Sequence, residues 1–489
     1  MAPERTTRRQ FIKTAVSGAG GFAIAPGLLA GCTSTAERRT GAGWDLVPDI
    51  LSRIEPPVFP ERDFVVTEYG PAGNRATDAT DAIRQPVEAC AEAGVGRVDV
   101  PEGTFLTGPI HLRSNVNLHV SEGATIRFDR DPSRYLPAVY TRWEGTELMN
   151  YSPLIYAFEE TNVAVTGTGK LDGRANETYW WPWKGQEEHG WREGEPHQGP
   201  ARDRLREMAE RGVPVEERVF GEGDYLRPSF IQPYRCENIL IEGITIVNSP
   251  MWEIHPVLSR NVTVRDVVVE SHGPNNDGCN PESCTDVLIE GCYFDTGDDC
   301  IALKSGRNAD GRRIGVPVEN VIIRDCTMRD GHGGVVIGSE MSGGARNIFA
   351  ENCRMDSPNL DRVLRIKTNS TRGGFVENVY IRDIEVGQVA DAIVRINFMY
   401  EEGDAGPHDP TVRGVEVRNV TCSQSDRALY LRGYADSPIR DVRLVNCRFD
   451  NIASESVVEH VENLAFEEVV INGEQVAFDA ERGAVVALR

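Results

Sequence analysis

Long hydrophobic runs, basic charge and aromatic residues are all scarce in this chain of 489 residues. After the first 31 residues no run approaches the roughly 18 apolar residues of a transmembrane helix, so no membrane span is predicted. The 52 Lys and Arg residues face 75 Asp and Glu residues, for a net charge of −23. Phosphate backbones require a basic surface, so nucleic acid is not expected as a partner. Aromatic residues make up only 7%, but hydrophobic residues reach 40%, which is enough to bury a core.

The eleven cysteines follow neither a disulfide framework nor a metal-binding pattern. No pair has close ligand spacing together with histidines, as a zinc site would require. Four of them lie in similar short strand-like runs: Cys292, Cys326, Cys353 and Cys447. We therefore predict a stack of buried thiols at one position of a structural repeat.

The N-terminus carries targeting signals. Arg8-Arg9 precedes a short apolar segment that ends in Leu-Ala-Gly-Cys at 29–32. We predict a signal peptide over residues 1–31 that resembles a twin-arginine export signal and ends at a lipoprotein box, with Cys32 as the lipidated residue. An ordinary signal peptide with an incidental cysteine is the alternative. The protein is expected in the cell envelope, touching the membrane only through this anchor, with residues 32–60 as a flexible tether and lead-in.

One nine-residue sequence motif recurs through the second half of the chain. Asn-Val-Ile-Ile-Arg-Asp-Cys-Thr-Met at 320–328 is typical, and related copies begin at 238, 261, 286, 347, 378, 414 and 441. The copies are 23 to 36 residues apart, a period that marks solenoids. Each copy alternates apolar and polar residues as strands do, and no amphipathic helix lies between them. The sequence therefore predicts an all-β fold, a parallel β-helix, over residues 61–489.

Two segments depart from this repeat. Residues 78–93 have a helical pattern, which predicts a helix that caps the N-terminal end of the solenoid, although Pro86 should kink it. Residues 179–225 form a long insertion, in which 202–211 looks helical. Trp180, Trp181, Trp183 and Trp191 lie in the insertion. They either stack on sugar rings or form a small core of the insertion itself, and the sequence favours neither.

The densest group of polar residues is carried by four consecutive coils. Asp277 and Asp299 are 22 residues apart, and His332 and Arg365 follow at intervals of 33. Equivalent positions on adjacent coils stack at roughly 4.8 Å, so these side chains are expected on one surface, with Asp298 beside Asp299. Three close carboxylates repel one another, and at least one pKa should be raised. A carboxylic acid with a raised pKa beside an ionised carboxylate suits glycoside cleavage. For inversion the two carboxyl groups should be roughly 6.5–9.5 Å apart.

A calcium site is the other interpretation of clustered carboxylates, because Ca²⁺ prefers oxygen ligands. His332, Arg365 and Lys367 oppose it, since these side chains can be cationic and would repel a metal ion. We therefore predict no metal and no cofactor.

The ordered motifs Asn-Asn-Asp at 275–277, Gly-Asp-Asp at 297–299, Gly-His-Gly at 331–333 and Arg-Ile-Lys at 365–367 resemble those of the polygalacturonase family, glycoside hydrolase family 28. The resemblance implies a right-handed β-helix and an inverting mechanism. It makes Asp298 the general acid, while Asp277 and Asp299 hold and activate the water. Asn276 stands where the family usually has Thr, which leaves the carboxylate in place.

The resemblance also implies a uronate substrate, a galacturonate-type polysaccharide. His332 would tune the acid, Arg365 and Lys367 would bind the substrate carboxylate, and Tyr400 would line the same subsite. Lys304 adds a further cation on these coils and is expected to contact substrate. Such a groove can bind an anion although the whole surface is acidic, because salt screens distant charges.

The insertion at 179–225 is placed to wall off one end of the groove, so we expect an enzyme that acts on chain ends or oligosaccharides. A pectate or uronate lyase is the enzymatic alternative, since lyases also use β-helices. A non-catalytic carbohydrate-binding solenoid is the alternative from another class. The oligomeric state is not readable from the sequence.

Overall fold

The chain winds into a right-handed parallel β-helix whose coils contribute strands to three stacked ladders. The computed structural model describes residues 43–70 and 73–488. The predicted signal peptide at 1–31 and Cys32 lie outside the described residues. The predicted all-β fold is confirmed. No helix in the described part of the chain combines the length and apolar character needed to cross a bilayer.

The first two ladders belong to one 26-stranded sheet. The first ladder contains Asp63–Val65, Gly96–Val100, Val116–Val120, Thr161–Gly167, Glu237–Glu242, Arg260–Arg265, Thr285–Glu290, Val318–Arg324, Ala345–Glu351, Phe375–Arg382, Thr411–Arg418, Ile439–Phe449 and Val461–Ile471. The second contains Asn74–Asp78, Gly103–Thr107, Ala124–Phe128, Lys170–Asp172, Thr245–Val247, Val268–Ser271, Tyr293–Thr296, Thr327–Met328, Arg354–Met355, Glu385–Gln388 and Thr421–Gln424. Two antiparallel strands, Glu474–Asp479 and Ala484–Ala487, close the sheet at its C-terminal end.

The third ladder carries the polar residues of the four motifs. It begins with Ile110–His111, Ile155–Phe158 and Ile231–Tyr234, and it continues with Ile301–Leu303, Val335–Gly338, Arg362–Lys367, Ala392–Asn397, Arg427–Arg432 and Val457–Glu459. Single bridges at Ile254 and Cys279 join these two groups of strands. The ladder is therefore continuous across the coil that contains Asp277.

Stacked identical side chains explain the recurring sequence motif. Asn347 Nδ2 donates to Asn320 Oδ1 at 3.0 Å, and Asn378 Nδ2 donates to Asn347 Oδ1 at 3.1 Å. These asparagines have φ near +60°, a conformation that Asn tolerates better than most residues, and each one turns the chain into its coil. The predicted thiol stack is present over three coils, because the buried Cys326 thiol contacts those of Cys292 and Cys353, and Cys447 is buried and unpaired as well.

The predicted capping helix is α2, Thr80–Glu92. Ala82, Ile83 and Val87 join the main core, and the helix packs against the first coils of the solenoid. The helix runs through Pro86, which is buried in it. Burial of the apolar face offsets the hydrogen bond that the proline cannot make.

The insertion stands beside the third ladder, together with an antiparallel hairpin of Val139–Trp143 and Thr146–Asn150. It contains α3, Gly199–Glu210, which confirms the helix predicted at 202–211. Leu205 of α3 packs with Leu148 of the hairpin and with Trp252 of the solenoid in a separate small core. A short helix, α4 (Asn308–Ile314), contacts both α3 and the hairpin.

The predicted tether differs from the structure over its second part. A 3₁₀ turn at Gly43–Leu46 and helix α1, Val47–Leu51, pack against the outside of the first ladder. Val47 and Ile50 are buried against Ile322 and Phe349. This short apolar segment therefore belongs to the same compact unit as the solenoid rather than to a flexible linker.

Candidate active site

Asp277, Asp298 and Asp299 meet on the face of the third ladder. One carboxylate oxygen of each lies within 4.8 Å of the others. The coil register explains this, because the Gly278 amide donates to the Asp299 carbonyl at 3.0 Å and Cys279 bridges to Ile301. The aspartates on adjacent coils therefore lie close together, as their spacing of one coil predicts.

The three carboxylates differ in exposure. The side chain of Asp298 is 17% exposed, whereas those of Asp277 and Asp299 are 3% and 0% exposed. Asp298 therefore faces the cleft above the ladder, and the other two lie beneath it. The separation of roughly 6.5–9.5 Å between carboxyl groups that inversion requires stays a prediction, because the 4.8 Å limit joins only the nearest oxygens.

Three cations contact the two buried carboxylates. Lys304 Nζ lies 3.4 Å from Asp277 Oδ2, Lys367 Nζ lies 2.6 Å from Asp299 Oδ2, and Arg365 Nη1 lies 3.2 Å from Asp299 Oδ1. Paired charges of this kind offset the cost of taking ions out of water. The carboxylate oxygens are near enough to bind a metal ion, but the site already supplies positive charge to them.

The same cations line the cleft with the other predicted substrate residue, Tyr400. Arg365 and Lys367 lie 5.7 Å and 5.6 Å from the centre of the Tyr400 ring. Lys304 lies 4.4 Å from the centre of the Trp252 ring. The cleft thus combines carboxylates, cations and aromatic rings, the set that a uronic acid sugar requires.

The sequence comparisons identify the family of this site. The model of glycosyl hydrolases family 28 matches residues 222–469, about half of the chain, including all four motifs. The chain belongs to glycosyl hydrolases family 28. Accordingly it is a glycoside hydrolase that acts on O-glycosyl bonds.

Individual relatives span most of the chain. A solved structure described as a hyperthermoactive exopolygalacturonase from Thermotoga maritima is 46% identical, with a TM-score of 0.87, over 92% of this chain and 99% of that one. A probable polygalacturonase of Vitis vinifera is 29% identical over 78% of this chain and 73% of that protein. An exo-poly-alpha-D-galacturonosidase of Dickeya chrysanthemi is 24% identical over 73% of this chain and 62% of that protein.

Proton positions in this family 28 site follow from burial and pairing. Burial, followed by the charge of Asp298, raises the pKa of Asp277 to about 7. Burial alone would also raise the pKa of Asp298, but the hydrogen bond from His332 Nδ1, at 3.0 Å, holds it below its ordinary value. The same hydrogen bond raises the pKa of His332 to about 9. The raised carboxyl pKa is therefore that of Asp277, while Asp298 is ionised and pairs with a protonated His332.

A fourth carboxyl group lies behind the cluster. Glu253 is fully buried on the coil before Asp277, and its amide donates to the Asp277 carbonyl at 3.0 Å. Burial, then the charge of Asp277, raises the pKa of Glu253 well above its ordinary value. The sequence analysis missed this residue because Glu253 stands in none of the motifs.

The sequence analysis also missed the wall of the cleft opposite the solenoid. This wall carries Glu144 of the hairpin with Lys184, Arg202 and Arg206 of the insertion. Arg206 Nη2 pairs with Glu144 Oε2 at 3.0 Å. The only available signal was a few basic residues in the insertion, and neighbouring acidic residues obscured them.

The tryptophans of the insertion are mainly structural. Trp180 is buried, its ring centre is 4.8 Å from that of Trp183, and Trp181 Nε1 donates to the Ser249 carbonyl at 2.9 Å. Among the described residues that line the cleft, the insertion contributes charged side chains, and the tryptophan is Trp252 of the solenoid. Trp180 joins the main core of the solenoid, and Trp181 and Trp183 pack against that core, so the predicted separate core of the insertion is wrong for these three residues.

Proposed function

We propose that this enzyme hydrolyses the galacturonate–galacturonate bonds of polygalacturonan from a chain end, with inversion at the anomeric carbon. The observation that carries the proposal is the partly exposed Asp298, which stands above two buried carboxylates and beside cations in one cleft. The names of the exo-acting relatives from Thermotoga maritima and Dickeya chrysanthemi support this substrate and this mode of attack.

The proposed reaction uses the exposure of the aspartates. Asp298 protonates the leaving glycosidic oxygen, because its carboxyl group is the one that substrate can reach. Asp277 and Asp299 orient a water molecule, and Asp277, with a pKa of about 7, accepts a proton as the water attacks the anomeric carbon. His332 passes its proton to Asp298 as Asp298 protonates the leaving oxygen, and the pair then takes a proton from solvent while Asp277 releases one to solvent.

Recognition of a uronate is assigned to the cations. Arg365 and Lys367 form one positively charged surface under Tyr400. A substrate carboxylate bound there shares these cations with Asp299, which weakens their pull on the aspartate. Lys304 is held by Glu340 at 3.2 Å as well as by Asp277, so its proposed contact with substrate is secondary to this pairing.

The exo mode is supported by the position of the insertion. Trp181 Nε1 donates to the Ser249 carbonyl. Arg227 joins Gln198 of the insertion, at 3.1 Å, to the carbonyls of Pro250 and Pro274, at 2.9 Å and 2.6 Å. These contacts hold the insertion across the coils that precede Asp277. A polysaccharide that continued over those coils would collide with it.

A panel of pectic polymers, with NMR detection of the first anomer formed, tests the proposal. We expect rapid release of saturated galacturonate from polygalacturonan, with the inverted configuration. Retention of configuration would contradict the mechanism. Products that absorb in the ultraviolet would indicate the lyase, and binding without turnover would indicate the non-catalytic solenoid.

We further propose that the protein is exported and anchored to the cell envelope through a lipid on Cys32. Support comes from Arg8-Arg9, the short apolar segment and the Leu-Ala-Gly-Cys sequence that ends at Cys32. Cell fractionation and metabolic labelling with a fatty acid test this. Cys32→Ala is expected to release the protein from the membrane fraction, and an unchanged distribution would contradict the anchor.

A further inference from the structure

Lys184 is the cation of the insertion wall that lacks an acidic partner. Its Nζ donates to Asn275 Oδ1 at 2.7 Å. Within residues 43–70 and 73–488, no carboxylate forms an ion pair with it. By contrast, Arg206 pairs with Glu144 at 3.0 Å and Arg202 pairs with Asp203 at 3.0 Å. An ammonium group without a carboxylate, in a cleft that takes an anionic substrate, is suited to binding the anion.

The surroundings of Lys184 hold it in place. Asn275 Oδ1 also accepts from Nη2 of the fully buried Arg227 at 2.8 Å, and Arg227 Nε donates to Gln198 Oε1 at 3.1 Å. Asn275 therefore connects the insertion to the coil of Asp277. Burial lowers the pKa of Lys184 because it disfavours the charged ammonium. A bound carboxylate would offset this effect by stabilising the charge.

Lys184 and the Arg365–Lys367 pair line the same cleft from different parts of the chain. Lys184 contacts the coil of Asn275, whereas Arg365 and Lys367 lie on the coil that follows His332. Coils stack at roughly 4.8 Å, so the two cationic groups are placed for different sugar residues. Because the insertion covers the coils beyond Lys184, the sugar on that side is the last one of its chain.

We propose that Lys184 binds the carboxylate of the terminal uronate and so selects a charged chain end for cleavage. This inference rests on the proposed exo-acting hydrolysis and names the residue that recognises the released sugar. Arg365 and Lys367 then bind the carboxylate of the sugar on the other side of the broken bond. The insertion thus both blocks the groove and recognises the chain end.

The test combines a change in the enzyme with a change in the substrate. The probes are trigalacturonate and its analogue with a methyl ester on the residue that is released, and the readout is kcat/KM. We expect the parent to prefer the free acid by about 10- to 100-fold, the range of one charge-assisted hydrogen bond. In Lys184→Met the preference should fall below about 3-fold, because the ester and the acid then meet the same neutral wall.

Two further variants separate recognition from support of the fold. Lys170→Met removes an exposed lysine of the second ladder, which is not among the described residues that line the cleft, and should keep the full preference. Lys184→Gln retains an N–H donor for Asn275 but no charge, so it should lose the preference even where the methionine variant is unstable. An unchanged preference in both Lys184 variants, or an equal loss on both probes, overturns the inference. Failure of the parent to cleave either probe rejects the proposed function instead.

Discussion

The two walls of the cleft are built in different ways. The solenoid wall presents side chains from stacked coils, such as Asp277, Asp299 and Arg365, whose distances follow from strand spacing. The insertion wall presents Lys184 and Arg206 from a segment without repeats, held by its own small core. The repeat thus positions the catalytic side chains, while the inserted segment is proposed to select which part of the polymer reaches them.

Replacement of the accessible acid should have the largest effect and should be confined to chemistry. General acid catalysis contributes about 10²–10⁴ to the rate, so Asp298→Asn should lower kcat on polygalacturonan by about 10³ or more while oligogalacturonate still binds. Steady-state kinetics and calorimetry measure the two effects. Asp295→Asn, on a neighbouring partly exposed strand, is the control. Near-normal turnover in Asp298→Asn would mean that another residue is the general acid.

Substitution of a buried tryptophan in the insertion should lower the free energy of unfolding. Trp180 is buried and packs on Trp183, so Trp180→Ala should lower the free energy of unfolding by about 3–5 kcal/mol. Trp191 contacts only the edge of the insertion near His197, and Trp191→Ala should cost less than about 1 kcal/mol. Urea titration measures both. Equal losses would show that Trp180 contributes no more than Trp191 to the packing of the insertion on the solenoid.

Removal of one cation from the solenoid wall should have an intermediate effect. In Lys367→Met, Asp299 keeps Arg365 as its partner, but the cleft loses one charge-assisted hydrogen bond to the uronate. We expect kcat/KM on polygalacturonan to fall about 10- to 100-fold. An unchanged kcat/KM would remove Lys367 from substrate recognition.

The pH profile should separate the residues of the solenoid wall. kcat/KM should rise as Asp277 loses its proton near pH 7 and fall as the His332–Asp298 pair loses its proton near pH 9. In His332→Gln, Asp298 must hold the catalytic proton without the imidazolium. The fall of kcat/KM at alkaline pH should therefore move to lower pH. The pKa of His332 is raised in the folded protein. The pair therefore stabilises the fold fully below about pH 6.5, and this contribution is lost as pH rises through 9. If the fall of kcat/KM at alkaline pH does not move in His332→Gln, the pairing of His332 with Asp298 is contradicted.

The smallest expected effect concerns the carboxyl group behind the cluster. The folded-state pKa of Glu253 lies above its unfolded value, so ionisation of the unfolded chain lowers the stability of the parent as pH rises above about 4.5. Glu253→Gln removes this penalty, and its stability relative to the parent should increase with pH. Thermal unfolding from pH 4 to 8 measures the trend. A difference that does not change with pH would show that Glu253 titrates normally.

The sequence predicted the solenoid wall better than the insertion wall, for a physical reason. A coil of a β-helix has a fixed rise, so the 22 residues between Asp277 and Asp299 convert directly into a distance. The asparagine and cysteine stacks follow from the same rule. Residues 179–225 offer no such period. The partners of Lys184 and Arg206 depend on how α3 and the hairpin fold against the solenoid, and composition alone does not determine that.

Side-chain pairing inside the motifs was also beyond the sequence. The sequence predicts that Arg365 and Lys367 bind the substrate, and in the structure both contact Asp299. The raised carboxyl pKa is that of Asp277, because burial differs between residues that stand in equally polar motifs. The docking of Val47 and Ile50 was missed because α1 is only five residues long.

The solenoid wall is proposed to cleave the polymer, and the insertion wall is proposed to confine cleavage to chain ends. A time course of polygalacturonan digestion, with products separated by size, tests it most directly. We predict that saturated galacturonate accumulates from the first time point while the remaining polymer shortens slowly. Early appearance of a ladder of intermediate oligomers would contradict the account, because it would mean that the polymer passes the insertion and is cut internally.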